Sequence, residues 1–161
     1  MLLGRQPNNP LLDGKWRFTV PRCIREEVAD EGEAASFHLG VLLDKCVYLH
    51  TEEQQEVFLS AFDEATDDTE KNRALKTMVH AAFVPVTTDK AGRVIIPADL
   101  RKKAGIIKEI VVVGMKDRTE LWGVEVYDQL HEVNEEVFRV GLEEALQRVG
   151  EARRSRRARD D

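Results

Sequence analysis

A short motif of an aspartate, an arginine, a proline and a second arginine, each four residues after the last, occurs twice in the sequence. Its members are Asp13, Arg17, Pro21 and Arg25 in the first copy and Asp89, Arg93, Pro97 and Arg101 in the second. Guanidinium groups suit the recognition of phosphates and of guanine edges, while a nearby carboxylate can orient them. Repetition at one spacing indicates that a single structural unit is used twice.

The cations in and around the motifs are the candidate DNA-binding residues. One bidentate contact between an arginine and a base contributes about 1 to 3 kcal/mol of discrimination. The candidates are Lys15, Arg17, Arg22, Arg25, Lys90, Arg93 and Arg101, with Lys102 and Lys103 following the last. Because aspartate in a turn commonly hydrogen-bonds its own backbone, we expect Asp13 and Asp89 to fix the turns and to pair with the arginine four residues on. Pro21, Gly92 and Pro97 complete the residues expected to be structural.

The charge distribution separates the motifs from the rest of the chain. The 161 residues carry a net charge of -6, yet each of the segments 12–25, 89–103 and 148–161 carries +3, which leaves -15 on the remainder. Affinity for nucleic acid comes largely from neutralising phosphates. Basic islands on an acidic protein therefore indicate localised DNA binding.

The sequence lacks the patterns of catalytic and metal sites. No Ser/His/Asp or Cys/His arrangement and no glycine-rich phosphate loop accompanies the aspartates, so we predict neither an enzyme nor a small-molecule substrate or cofactor. Zinc-site spacing is also missing, so no metal is expected. The residues considered for such a site are His38, His50, His80, His131, Cys23 and Cys46. We expect the two cysteines to be reduced thiols in the core.

Length and composition indicate a soluble globular protein. A chain of 161 residues with 42% apolar and 34% charged residues corresponds to one domain, or to two small units that share a core. No apolar run approaches the roughly 20 residues of a membrane span, and residues 1–10 lack the features of a signal peptide. We therefore expect a cytoplasmic protein without a membrane partner.

The first motif is predicted to lie on a hairpin that is followed by a helix. Residues 11–12 and 18–20 would form the strands and residues 14–16 the tip. A helix that starts at the motif proline would bury Ile24 and Val28 and leave its arginines outside.

A second hairpin and two helices are predicted to follow. Residues 37–43 and 46–50 are prone to form strands, and Thr51 begins a capping box with Gln54. The box predicts a helix to about residue 65, and a further helix follows from Glu70. The residues expected on the buried faces of these helices are Val57, Phe58, Ala61, Phe62, Leu75, Met78, Val79 and Ala82.

The second motif repeats the order of hairpin, helix and hairpin. The predicted elements are strands at 84–86 and 94–96 around a turn at 90–92, a helix from Pro97 capped by Gly105, and strands at 110–114 and 119–122 around a turn at 116–118. A helical pattern then extends from about 125 to 148. The segment 151–161 is so highly charged that we expect it to fray.

With these motifs and elements, the sequence resembles the MraZ family. The paired Asp-x-x-x-Arg motifs, each followed by proline and a short helix with a second arginine, carry the resemblance. Val112-Val113-Gly114 and Glu120-Leu121-Trp122, followed by a helix with Tyr127, are also similar to the family's second unit. The resemblance covers about residues 4–140.

The resemblance implies an α+β fold made of two tandem SpoVT-AbrB-like units, in which a swapped-hairpin β core is joined to short helices. The implied organisation is a first unit at 8–56, a helical connector at 57–82, a second unit at 83–128, and a C-terminal helix with a charged tail at 129–161. It also implies ring-shaped homo-oligomers that bind short direct repeats in a promoter. In the family, the first-unit loop carries DNA recognition, and its cations correspond to Lys15 and Arg17.

The first loop departs from the family pattern at one position. Family members usually have the order Asp-x-Lys-Gly-Arg, whereas this chain has Trp16 at the glycine and Gly14 two residues earlier. If the position needs a positive φ, tryptophan is a poor occupant. Either the turn has shifted its register or the loop is altered.

The leading hypothesis is a cytoplasmic, nucleoid-associated regulator that represses the division and cell-wall gene cluster by binding double-stranded promoter DNA. The alternative is an oligomeric scaffold that binds proteins through the exposed Trp16 and has reduced or lost DNA binding. An AbrB-like antitoxin shares the fold class, but it normally has one unit and a disordered tail, which the duplication here argues against.

Overall fold

The computed structural model describes residues 1–160, apart from the side chains at positions 131, 133 and 160. The chain divides into a compact unit, Met1–Tyr127, and a second unit, Asp128–Asp161. The strands of the first unit are β1 (Gly4–Arg5), β2 (Arg17–Thr19), β3 (Ser36–Gly40), β4 (Val47–Thr51), β5 (Phe83–Thr87), β6 (Arg93–Ile95), β7 (Ile110–Gly114) and β8 (Thr119–Gly123). The helices of the chain are α1 (Arg22–Arg25), α2 (Glu52–Ala65), α3 (Glu70–Ala81), α4 (Ala98–Ala104), α5 (Val124–Val133) and α6 (Glu135–Asp160).

The strands form two antiparallel sheets, as the predicted α+β class requires. Six strands lie in the order β1-β7-β8-β4-β3-β5, and β2 pairs with β6 in a sheet of two strands. The hairpins β3–β4 and β7–β8 are confirmed, and they are joined edge to edge through β4 and β8. In the centre of the larger sheet, β4 and β8 are buried along their whole length.

Outside the hairpins β3–β4 and β7–β8, strands of one repeat pair with strands of the other. The hairpin predicted for residues 11–12 and 18–20 is wrong, since Phe18 faces Val94 of β6 and Leu11 forms a bridge with Glu109. The hairpin predicted between 84–86 and 94–96 is wrong for the same reason, because β5 pairs with β3. This exchange is the swapped-hairpin core that the resemblance implies.

A large hydrophobic core holds the two repeats together. Corresponding residues of the repeats are buried in it, including Phe18 and Val94, which are 0% and 1% exposed, and Ile24 and Leu100, which are 4% and 2% exposed. Burying such side chains contributes about 1.5 to 3 kcal/mol each, so the paired motifs have a rigid base.

The local start and stop signals of the helices are confirmed. Thr51 accepts a hydrogen bond from the backbone of Gln54, whose side chain accepts one from the backbone of Thr51, which completes the capping box. Gly105 ends α4 with a left-handed φ of 65°. Pro21 and Pro97 precede α1 and α4 in equivalent extended conformations.

The helix after the first motif is shorter than predicted. Regular helix stops at Arg25, and a series of turns follows, so Val28 is 38% exposed instead of buried beside Ile24. Arg25 was expected to point outside but is half-buried. Of the two cysteines expected in the core, Cys46 is buried and Cys23 is exposed.

The apolar faces of α2 and α3 are not buried as predicted. Val57 is 65% exposed and Met78 is 69% exposed, while the only fully buried residue of α2 among those described is Gln55. These faces instead line an open apolar groove of about 1050 Å³. Apolar residues that line it include Leu42, Leu43, Val57, Phe58, Phe62 and Leu75.

In the C-terminal unit, Asp128–Asp161, helix extends further than was predicted from the charge of the tail. Residues 151–160 continue α6 instead of fraying, and Asp161 lies outside the described residues. Arginines in its last turn interact favourably with the helix dipole. Exposed apolar residues run along α6 and include Val137, Phe138, Leu142, Leu146 and Val149. Among the described residues, no helix has the length and apolarity that crossing a membrane requires.

Candidate nucleic-acid interface

The two motif turns have the same backbone geometry. We call residues 13–17 the first turn and residues 89–93 the second turn. In the first, the Asp13 carboxylate accepts hydrogen bonds from the backbone amides of Lys15 at 2.9 Å and Arg17 at 3.0 Å. In the second, the Asp89 carboxylate accepts from the corresponding amides, those of residues 91 and 93, at 2.9 and 3.0 Å. Trp16 therefore occupies the position of Gly92, and the first turn has not shifted its register.

Pairing of β2 with β6 brings the two turns side by side, and we call them the paired turns. Their charged side chains form ion pairs within each turn and between the turns. Within each turn the arginine Nε donates to the aspartate Oδ2, at 2.6 Å from Arg17 to Asp13 and at 2.9 Å from Arg93 to Asp89. Between the turns, Nη1 of each arginine lies 3.6 Å from the other aspartate. The four residues form a closed network of two cations and two anions, so Arg17 and Arg93 are held by carboxylates, as the sequence suggested.

The network lowers the pKa values of both carboxyl groups. The backbone amide and guanidinium of Arg17 hold the pKa of Asp13 at about 2. The same donors of Arg93, with the amide of Ala91, also lower the pKa of Asp89. Both aspartates are therefore ionised at neutral pH, and they neutralise the two motif arginines.

In the second turn, Gly92 is covered by an arginine of the first repeat. The Arg25 guanidinium donates from Nε to the carbonyl of Val20 at 2.9 Å and lies across Gly92. A Cβ built on Gly92 would lie 2.5 to 2.8 Å from guanidinium atoms of Arg25. Gly92 also has a φ of 76°, a region that favours glycine. This turn therefore requires glycine for two reasons.

The first turn receives the equivalent arginine of the other repeat in a different way. Trp16 has a φ of 61°, the one positive φ of a non-glycine residue among those described, at a cost of about 1 to 2 kcal/mol. The Arg101 guanidinium lies 4.0 Å from the centroid of the Trp16 ring. Such a cation–π contact contributes about 0.5 to 1 kcal/mol at an exposed site, so it offsets part of the strain. Trp16 is still 46% exposed.

The remaining predicted cations are not equivalent. Lys15 and Lys90 are exposed at the tips of the turns, and no ion pair is formed by either side chain within the part of the chain that is described. Arg22 is exposed on α1, where it pairs with Glu26 at 2.5 Å and Glu31 at 3.4 Å. Arg22 therefore lies in an acidic setting.

Together with Arg25 and Arg101, the paired turns present six cations and two carboxylates on one rigid β base. The free ammonium groups can neutralise phosphates, while the guanidinium groups are already held in fixed orientations. These cations were predicted from the sequence, whereas Trp16 was identified only as a departure from the family pattern and as a candidate protein contact. The signal available in the sequence was tryptophan at a glycine position of the repeat.

Known proteins with similar sequences share one description. A family model described as "MraZ protein, putative antitoxin-like" matches residues 80–149. The "Transcriptional regulator MraZ" of Mycoplasmoides gallisepticum is 33% identical over 138 residues, which cover 86% of this chain and 92% of the relative. The proteins of that name from Cutibacterium acnes and Saccharopolyspora erythraea are 32% and 31% identical, and the alignments cover 86% and 91% of this chain and 92% and 97% of the relatives. The similarity thus extends over most of both sequences.

Proposed function

The chain belongs to the MraZ family of transcriptional regulators, and we propose that it binds promoter DNA sequence-specifically through the paired turns. The observation that carries this proposal is the joining of the two turns by Asp13, Arg17, Asp89 and Arg93 into one cationic surface. A pre-formed surface binds without the entropic cost of ordering flexible loops.

We assign the contacts according to what each cation is free to do. Lys15 and Lys90 are exposed and contact phosphates, whereas Arg17 and Arg93 use donors that the carboxylates leave free. Arg25 and Arg101 support the opposite turn and add positive charge near the DNA. Arg22 contributes least, because Glu26 and Glu31 already neutralise it.

We further propose that copies of the chain assemble into a ring that binds direct repeats. The open groove beside α2 and α3 and the apolar stripe of α6 support self-association, because exposed apolar surfaces of this kind mark interaction sites. Head-to-tail interfaces between copies close into rings when the rotation allows. A ring would present several paired turns at once, so weak contacts to each repeat would add up to useful affinity.

In this proposal the targets are direct repeats in the promoter of the division and cell-wall gene cluster, and binding there represses transcription. The protein would then act in the cytoplasm, at the nucleoid. The groove also supports the alternative, an oligomeric scaffold with reduced or lost DNA binding, because an apolar groove can hold a protein partner.

Fluorescence anisotropy with a duplex from upstream of the chain's own coding sequence tests the proposal. We expect salt-dependent binding, and we expect the double substitution Lys15→Ala and Lys90→Ala to reduce the slope of log K against log salt by about 1.8, or about 0.9 for each phosphate contact. Light scattering on the same samples should give a mass several times the 18.3 kDa of one chain.

Lys71→Ala is the matched control, because Lys71 is an exposed lysine on α3, outside the motifs. It should leave the salt slope unchanged. Binding that is independent of salt, or a slope that is unchanged in the double variant, would contradict the role of the paired turns. A particle with the mass of one chain would contradict the ring.

A further inference from the structure

Trp16 keeps a conformation that its side chain disfavours. Its φ of 61° suits glycine, and a bulky residue there persists only when the surroundings hold it in place. Strained residues of this kind concentrate at functional sites. The strain is not demanded by the fold, because Gly92 forms the same turn without it.

The surroundings of Trp16 present its ring to solvent instead of burying it. One face of the indole carries the Arg101 guanidinium at 4.0 Å, and the side chain remains 46% exposed. At the corresponding place in the second turn, Arg25 covers Gly92, which is buried. The paired turns therefore expose an oriented aromatic surface on the first turn only.

We propose that Trp16 is a specificity-determining residue that contacts the methyl group of a thymine in the major groove, and that Arg101 is its positioning residue. This inference rests on the proposed function, because it needs the paired turns to face DNA. The exposed Lys15 and Lys90 would hold the phosphates while the indole meets the base edges between them.

The chemistry of the major groove favours thymine as the target. Its C5-methyl group is the apolar feature that base edges offer there, and it discriminates a T·A pair from the others. Because Arg101 occupies one face of the indole, Trp16 cannot be sandwiched between base pairs as an intercalating wedge is. One free face and an edge remain, and they suit contact with a methyl group.

Replacing thymine by uracil removes only that methyl group and so provides the test. The upstream fragment is amplified once with dTTP and once with dUTP, and Kd is measured on both for each protein. We expect the wild-type chain to bind the uracil fragment more weakly. We expect Trp16→Gly to lower the ratio of the Kd for the uracil fragment to the Kd for the thymine fragment by about fourfold, which is the effect of burying one methyl group. Trp16→Gly should also bind the thymine fragment more weakly than wild type does, by about fourfold or more.

Two variants separate this contact from charge and from folding. Arg101→Lys keeps the charge but loses the planar stacking group, so it should lower the thymine-to-uracil discrimination and leave the salt slope unchanged. Ile107→Ala changes a residue that is 63% exposed and lies outside the turns, so it should keep the wild-type ratio. Trp16→Gly is expected to fold, because glycine suits the turn, and thermal melting followed by circular dichroism confirms this.

The outcomes distinguish this inference from the proposal on which it rests. If wild type binds the fragment with salt dependence but Trp16→Gly keeps the same Kd ratio, the thymine contact is overturned and the DNA-binding function stands. If Trp16→Gly weakens binding to both fragments equally, the contact is not with the methyl group, and the inference is again overturned. If wild type binds neither fragment, the proposed function fails as well.

Discussion

The first and second turns share the same backbone geometry, but the first exposes an aromatic ring and the second is covered. In each turn an aspartate accepts hydrogen bonds from two backbone amides, and an arginine of the other repeat packs against the turn. Because Gly92 has no side chain, Arg25 covers the second turn. In the first turn, Arg101 stacks on the Trp16 ring, and Trp16 stays exposed. The difference of one side chain thus separates a closed structural turn from an open one suited to recognition.

The largest expected effect comes from adding a side chain to the closed turn. Gly92→Ala should lower the free energy of unfolding by about 2 to 3 kcal/mol, because it combines left-handed backbone strain with loss of the charged hydrogen bond from Arg25 to Val20. Urea denaturation measures this change. Gly14→Ala is the matched control, since no atom lies within 4 Å of its built Cβ, and it should change stability little. A cost for Gly92→Ala no greater than that of the control would contradict the closed turn.

A smaller effect is expected from removing the covering arginines. Arg25→Ala should cost about 1.5 kcal/mol, since a charged hydrogen bond to a carbonyl is lost. Arg101→Ala should cost only about 0.5 to 1 kcal/mol, because it loses a cation–π contact with a ring that is 46% exposed. Denaturation of both variants in parallel provides the comparison. If Arg101→Ala were the more damaging, the first turn would depend on its arginine more than the second does.

The smallest effect is expected in acid, where it separates the two aspartates. The pKa of Asp13 is lowered to about 2 in the folded chain, so its contribution to stability is present above its unfolded value near 3.8 and is lost as pH falls from about 4 to 2. Asp13→Asn should reduce the loss of thermal stability over this interval. Asp89→Asn should reduce it less, since Arg93 Nε lies 2.9 Å from the Asp89 carboxylate, whereas Arg17 Nε lies 2.6 Å from that of Asp13. Equal acid dependence of both variants would show that the turns hold their carboxylates equally.

Much of the local structure could be predicted from the sequence. Thr51 and Gln54 indicated the start of α2, Gly105 indicated the end of α4, and the runs at 110–114 and 119–122 indicated β7 and β8. These signals act through backbone hydrogen bonds that close within a few residues, so neighbouring residues are enough to specify them.

The predicted buried faces of α2 and α3 were wrong for a physical reason. An apolar period shows that a helix has an apolar face, but it does not show whether this chain or another molecule covers that face. Val57 and Met78 belong to such a face and remain open. The proposed assembly of several copies would account for their exposure.

The candidate site was predicted in its composition but not in its arrangement. The spacing of Asp13 and Arg17 indicated their pairing, and the repeat indicated the same for Asp89 and Arg93. Neither the spacing nor the repeat indicated that Arg25 would cover Gly92 or that Arg101 would stack on Trp16. These contacts join residues that are far apart in the chain.

The amino-acid sequence alone therefore established the repeated motif, its turn chemistry and the cations available for DNA. Tertiary structure decided which strands pair, which arginine meets which turn, and that Trp16 is presented while Gly92 is covered. The physical reason is that turns close through local hydrogen bonds, whereas the pairing of β2 with β6 depends on the core that both repeats bury together. Only once that core fixes the register do the two turns become one surface.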